Sequence, residues 1–421
     1  MKKLLFITYF WPPSGKATLH WPLKIIKHLP QSGWQPSVLT VENESFTQKD
    51  ESLLKEVDPS LKVIKSKTFE PFDIYKKFIG KRKDEQLVAS DTISLSNKSF
   101  SHRLSIWIRM NLFIPDARIG WNSSAKKAGK DFLTKHDQEA IVTIGPPHST
   151  HLIGKKLSKK FNLPHIPVLI DPWVDIIYYK NFKRSYLTRK IDNHLEKSVL
   201  DNASQVVFVT ESTKEDYTKK YNFLKDKSHV LYWGYNEEDF SSFSNIKDAE
   251  LKTIVHAGNI FDYQNPINFW NRIRKEIDNG KNIKLKFIGT ISSGIKSAIE
   301  SAGLNSHTEI IGFLPYSQMV KHLESASALL VCATEKRHMP GKLFEYLRTG
   351  KPIIAFGDDN KEVNSILQKS NAGMLFKYNS DADEFFKRFS QFNTDLNFVK
   401  QFDRKVIAEK FAGILNSFSV E

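Results

Sequence analysis

The chain has 421 residues, 40% hydrophobic and 12% aromatic, which excludes a disordered chain and is long for one hydrophobic core but comfortable for two. Its single cysteine, Cys332, excludes an intrachain disulfide and fits a reducing compartment. Lysines and arginines number 62 against 47 acids, a net charge of +15; that balance favours nucleotides, anionic lipid or nucleic acid as partners, and equally describes a solvated lysine-rich surface.

The start, Met1 to Trp11, is apolar but runs into Pro12-Pro13 without a small-residue cleavage site. It reads as a buried strand and not a signal peptide. No apolar run approaches the ~20 residues needed to span a bilayer. Leu4–Tyr9 is the first expected strand, Leu23–Leu29 a helix and Ser37–Val41 a second strand. Residues 66–113 break the alternation. There Phe69, Phe72, Tyr75, Phe78, Trp107 and Phe113 interleave with Lys76, Lys77, Lys81, Arg82, Lys83, Arg103 and Arg109. That mixture predicts a partly helical insertion, with a polar stretch near Ser90–Ser101, able to lie against an anionic membrane surface. Alternation resumes with strands Ala140–Ile144, His165–Ile170 and Gln205–Thr210, separated by helices His151–Phe161 and Arg189–Leu200. Residues 233–250, polar and acidic, read as a linker. Beyond it the expected strands are Thr253–Ala257, Lys284–Ile288, Glu309–Ile311, Ala328–Ala333 and Pro352–Phe356, and Lys400–Phe418 is an expected helix. Alternating strands and helices imply βαβ units on parallel sheets. The expected fold is α/β with two doubly wound, Rossmann-like domains facing across a cleft: 1–232, a 233–250 linker, 251–400, and a 401–421 helix.

The segment richest in chemistry is Pro340-Gly341-Lys342-Leu343-Phe344-Glu345-Tyr346-Leu347-Arg348-Thr349-Gly350-Lys351-Pro352. Pro340 suits a first helical position, Gly350 a C-terminal cap, and Pro352 blocks continuation. The helix follows a strand after a short loop, so its N-terminal amides and dipole form a diphosphate site, with Lys342 adding a full charge. Glu345 lies one turn on, where a carboxylate accepts bonds from two ribose hydroxyls. An ordinary surface helix with a Lys–Glu pair has the same sequence.

This segment resembles the donor-binding stretch of retaining glycosyltransferases of family 4, which have the GT-B fold. Four further motifs follow the family's order: Ile7-Thr8-Tyr9-Phe10-Trp11-Pro12-Pro13-Ser14-Gly15, Ile114-Pro115-Asp116-Ala117-Arg118-Ile119-Gly120-Trp121, Gly145-Pro146-Pro147-His148-Ser149-Thr150-His151-Leu152-Ile153-Gly154 and Asp171-Pro172-Trp173. They are similar to a polysaccharide- and lipopolysaccharide-assembly branch. The resemblance implies transfer from a nucleotide diphosphate sugar, with retention and without metal or other cofactor, to a glycan acceptor that is lipid-linked. It implies a cytoplasmic protein, peripheral at the inner face of the membrane. Catalytic roles fall to His148, Asp171 and Lys342. Donor contacts fall to Gly15, Gly258, Asn259, Gln264, Gly289, Phe313, Leu314, Arg337, Pro340, Gly341, Lys342, Leu343 and Glu345, the last as the family's ribose-binding glutamate. His148 positions the sugar or acceptor; a loop histidine capping a helix is the plainer reading, as a turn aspartate before Pro172 is for Asp171.

The chain also departs from the pattern. The family's other glutamate, eight residues before Glu345, is Arg337 here, with Glu335 two positions away. The basic pair used on the diphosphate falls at Asn259 and Gln264, and two arginines fall at Ile170 and Trp21. Three rival readings stay open: an inactive GT-B subunit that binds a partner transferase, a nucleotide-sugar epimerase, and last a nucleic-acid binder, for which no recognised motif is present.

Overall fold

The computed structural model describes residues 1–46, 49–69, 100–176, 184–241, 243 and 250–417. The chain forms two units: Met1–Leu231 with Ala408–Glu421, and Tyr232–Ile407.

The first unit carries strands β1 (Lys2–Ile7), β2 (Trp34–Val41), β3 (Lys62–Ser66), β4 (Ala140–Gly145), β5 (His165–Leu169), β6 (Val206–Phe208) and β7 (Ser228–Val230). They pair in the order β3-β2-β1-β4-β5-β6-β7, parallel throughout. Its helices are α1 (His20–His28), α2 (Phe100–Leu112), α3 (Asn122–Lys135), α4 (Ser149–Phe161), α5 (Tyr186–Asn202) and α6 (Glu211–Lys220). The central strands are buried along their whole length, as at Ala140–Gly145, because helices cover both faces of such a sheet.

The second unit repeats the plan. Strands β8 (Thr253–Ala257), β9 (Lys284–Ile288), β10 (Thr308–Gly312), β11 (Ala328–Cys332), β12 (Ile353–Phe356) and β13 (Gly373–Phe376) pair as β10-β9-β8-β11-β12-β13, all parallel. Helices α7 (Ile267–Asp278), α8 (Ser293–Ser301), α9 (Tyr316–Glu324), α10 (Lys342–Thr349), α11 (Lys361–Lys369), α12 (Asp383–Arg388) and α13 (Leu396–Val399) follow. The last helix, α14 (Arg404–Asn416), begins in this unit and belongs to the first from Ala408 onward, where Phe411 packs against Phe6 and Trp21.

The expected strands fall on observed ones, two of them with identical bounds. β3, β7 and β13 were not expected; all three are sheet edges, short and half-exposed over part of their length. Residues 233–241 are not a free linker, which is a correction. Tyr235 and Phe240 are buried in the second unit's core, and the Arg348 guanidinium pairs with Glu237. Polarity misled there because the buried contacts rest on two aromatics among acids. Residues 242 and 244–249, most of the 66–113 insertion including Lys76, Lys77, Lys81, Arg82 and Lys83, and the chain end beyond 417 lie outside the described residues.

Candidate active site

In each sheet the strand order reverses at one point, between β1 and β4 and between β8 and β11. Ligands of doubly wound sheets bind beyond the carboxyl ends of the strands at that point.

In the second unit, the point lies between the β8 exit, Gly258-Asn259, and the loop from β11 to α10. Helix α10 buries Leu343, Phe344, Tyr346 and Leu347, each side chain contributing about 1.5–3 kcal/mol. The Ala257 N–H donates to the Tyr346 hydroxyl at 2.7 Å, which ties α10 to the end of β8. Gly350 ends the helix at φ +71°, as expected. The start differs slightly: Gly341 is the cap and Lys342 the first helical residue, with Pro340 buried just before.

Lys342 reaches over the β8 exit. Its Nζ lies 3.4 Å from His256 Nε2. A Cβ at Gly258 would stand 2.5 Å from that ammonium, and Gly258 has φ +113°; only glycine permits both features. Gly289 makes a second close approach, since its Cβ would lie 2.7 Å from the Gly258 carbonyl oxygen. His256 donates through Nδ1–H to the Leu330 carbonyl at 2.9 Å, leaving Nε2 as acceptor. Burial and the nearby Lys342 charge lower His256 to about 3, so the ring is neutral. Burial likewise lowers Lys342 to about 8, against the opposing influence of Cys332 and Glu345. Among the described residues neither the Gly341 nor the Lys342 N–H has a partner.

Glu345 accepts a bond from the Tyr316 hydroxyl of α9 at 3.1 Å. Burial raises its pKa, while the Arg404 charge and the Tyr316 bond favour the ionised form. Arg404 is itself held by its Nε, which donates to the Trp233 carbonyl at 3.2 Å. Neither Tyr316 nor Arg404 was expected. They lie 29 residues before and 59 after Glu345 in the sequence, and no spacing rule joins them.

Several expected donor contacts prove committed to the protein. Gln264 is buried; its Oε1 accepts from the Phe261 N–H at 3.1 Å and its Nε2 donates to the Cys332 carbonyl at 3.4 Å. Arg337 pairs with Glu335 at 3.3 Å in the β11–α10 loop. Leu343 is a core side chain, and its N–H donates to the Pro340 carbonyl at 2.9 Å. Leu314 packs against the core, whereas the neighbouring Phe313 is 89% exposed beyond β10. Asn259 is exposed, and its Oδ1 accepts from the Thr290 N–H at 3.2 Å. Asn360 braces the loop that carries Arg337 by donating to the carbonyls of Glu335 and His338 at 2.8 and 2.7 Å.

In the first unit, the point is flanked by the loop after β1, with Gly15 half-buried, and the loop after β4, with His148. The Asp116 carboxylate accepts the Ser149 N–H and hydroxyl, each at 2.8 Å, and the Arg118 N–H at 2.9 Å. It therefore fixes the start of α4 directly after His148. The imidazole of His148 stacks on Trp173, with ring centroids 5.2 Å apart and planes 8° from parallel. Two motifs separated in sequence thus form one wall. Asp171, half-buried beyond β5, belongs to the same turn. Burial lowers His148 to about 3, so the ring is neutral near pH 7. The Pro172 carbonyl favours the protonated ring slightly, but neither ring nitrogen has a hydrogen-bond partner. Both nitrogens are enclosed by protein, with Trp173 and His151 packed against the ring.

The turn is braced from beneath by α5. Asp192 accepts the Trp173 indole N–H at 2.7 Å and pairs with Arg184 at 2.7 Å. Glu196 accepts the Val174 N–H at 3.1 Å, the Tyr217 hydroxyl at 2.7 Å and the Tyr221 hydroxyl at 2.8 Å, and pairs with Lys220. Two carboxylates at buried positions of one helix were the available signal, since such acids persist only with partners.

The sequence model of the family described as "Glycosyl transferases group 1" matches residues 237–407, all in the second unit. A search of curated proteins finds no match. Solved structures align over nearly the whole chain. A glycosyltransferase from Rickettsia africae has a TM-score of 0.64 at 13% identity, covering 99% of this chain and 98% of that one. A protein of Anabaena, solved in complex with UDP and glucose, has a TM-score of 0.60 at 14% identity, covering 99% and 100%. A structure titled a putative UDP-N-acetylglucosamine 2-epimerase, from Listeria monocytogenes, has a TM-score of 0.53 at 10% identity, covering 99% and 96%. The fold is therefore GT-B, and the family match points to sugar transfer.

Proposed function

We propose that this chain is a glycosyltransferase that moves a sugar from a nucleoside diphosphate donor to a glycan acceptor, with retention of configuration. The observation that carries the reading is the Lys342 ammonium held over Gly258 at the β8–β11 switch point, with Glu345 one turn along the same helix. As the donor's glycosidic bond to phosphate breaks, charge grows on the leaving diphosphate. Lys342 and the Gly341 and Lys342 amides stabilise it. Glu345 holds the ribose. The acceptor hydroxyl attacks from the face the diphosphate leaves, which takes up its proton. His148, a neutral ring stacked on Trp173, orients the sugar or acceptor together with Asp171. The direct test is release of nucleoside diphosphate from a panel of nucleotide sugars, with and without glycan acceptors. Transferred sugar supports the reading; an epimerised nucleotide sugar formed without acceptor would replace it with the epimerase.

A second reading, an inactive subunit serving a partner transferase, draws on the commitment of Gln264 and Arg337 to protein contacts. An inactive subunit would release no nucleotide from any donor.

Two further results are expected. Activity survives EDTA, because Lys342 and the helix N-terminus supply the positive charge at the diphosphate; activity lost to chelation and restored by magnesium would overturn that assignment. His148→Ala lowers kcat more than donor affinity, because the histidine belongs to the first unit and the nucleotide contacts are assigned to the second. Equal loss of nucleoside diphosphate affinity would place it on the nucleotide. We further read the acceptor as lipid-linked and the protein as peripheral to the cytoplasmic membrane face, in polysaccharide or lipopolysaccharide assembly; the +15 charge and the aromatic–basic insertion support this. Among the described residues, no helix is long and apolar enough to cross a membrane.

A further inference from the structure

We infer that His338 binds the donor's diphosphate through its Nε2–H, as a neutral hydrogen-bond donor in the same loop–helix segment as Lys342. The residue lies in the loop from β11 to α10, six residues beyond the end of β11 and three before Gly341. Its tautomer follows from its neighbours. The Thr334 N–H donates to His338 Nδ1 at 2.9 Å. A backbone amide only donates, so Nδ1 is the bare nitrogen, and the Thr334 hydroxyl, 2.7 Å from it, donates there too. In a neutral ring the hydrogen is then on Nε2. Burial lowers the ring to about 4, the Lys342 charge acts in the same direction and Glu335 opposes them, so the ring is neutral near pH 7. Nε2–H has no partner among the described residues and, unlike the nitrogens of His148, it is not enclosed.

The rest of the residue is committed to the protein. Its N–H donates to the Glu335 carbonyl at 3.0 Å, and its carbonyl accepts from Asn360 Nδ2 at 2.7 Å. Asn360 is buried at the cap of α11, which anchors the loop to a helix. Only Nε2–H is left over, and a donor fixed before the ligand arrives loses little freedom on binding. Position selects the ligand. The ring lies within the field of the Lys342 ammonium, and the Gly341 and Lys342 N–H groups, three and four residues on, also lack partners. Glu335, the nearest acid in sequence, is paired with Arg337. Such a gathering of donors suits an anion with several oxygens. A neutral donor adds a contact to the leaving diphosphate without placing a second cation beside Lys342, and its bond strengthens as charge develops there. The inference rests on the sugar-transfer reading for the identity of the anion.

The test is calorimetric titration of the full chain with UDP, dTDP, GDP and ADP, native against His338→Asn and His338→Gln. Asparagine keeps an acceptor for Thr334 but has no donor as far out as Nε2. Glutamine restores an N–H donor near that position and gives up the bond to Thr334. His338→Asn is expected to bind the native chain's nucleotide about 10- to 100-fold more weakly, with an unchanged melting temperature. His338→Gln is expected to recover most of the affinity. A histidine that only braces the loop predicts the reverse order, and that result overturns the inference. So does an equal loss in the two variants, or native affinity in both, whatever happens to the choice of donor sugar. In the native chain the His338 Nε2 proton, identified by its absence from both variants' spectra, should move downfield when the nucleotide binds; an unmoved resonance overturns the assignment independently of any variant's stability. Sugar transfer is read separately. Transfer combined with native affinity in His338→Asn sinks this inference alone, and a native chain that binds none of the four nucleotides sinks it together with the reading of the site.

Discussion

Glu345→Ala is expected to cost about 2–4 kcal/mol of transition-state stabilisation, or roughly 30- to 700-fold in kcat/KM. The residue is not part of the apolar face of α10; its carboxylate meets Tyr316 and the Arg404 charge and no core side chain holds it. Folding is therefore expected to be intact. Removing the carboxylate removes two charge-assisted acceptors for the ribose hydroxyls and the bond to the Tyr316 hydroxyl. Nucleoside diphosphate affinity, read by calorimetry, should fall alongside turnover. Glu345→Gln should be intermediate, since one acceptor oxygen survives. A Glu345→Ala protein with native donor affinity and turnover would remove the ribose assignment.

Lys342 provides the second large effect, because its charge changes near working pH. Its pKa is lowered to about 8, so it is charged below that pH and neutral above. A diphosphate binds the charged form, so donor affinity should be full near pH 7 and fall as pH rises through about 8. The other basic groups of the pocket cannot produce this limb. His256, at about 3, and His338, at about 4, are neutral throughout the range, and Cys332 is pushed up to about 12. Lys342→Met should lose about 100- to 1,000-fold in turnover, in the range found when one preorganised donor at developing charge is removed, and should lose the limb with it. Gly258→Ala should behave similarly, because its Cβ would displace the ammonium and its φ is strained. Donor affinity in the native protein that is flat from neutral to strongly alkaline pH would place Lys342 away from the phosphates.

The sequence by itself determined the alternation of strands and helices, and hence two parallel sheets. Strands buried on both faces must be apolar throughout, and that signal is local. It also determined α10: its glycine stop and the Lys342–Glu345 spacing are properties of consecutive residues, independent of what packs against them. What only the tertiary structure decided was which polar groups remain available. Gln264 and Arg337 were expected among the donor contacts, yet each is bonded within the protein, one to a strand's carbonyl 68 residues away and the other to a loop neighbour. Conversely Tyr316, Arg404 and the Asp192–Glu196 brace carry no motif, because a hydrogen bond depends on where strands and helices bring the chain together. A helix N-terminus can be read from neighbours in sequence. The stacking of His148 on Trp173 arises only once parallel strands place the ends of β4 and β5 side by side.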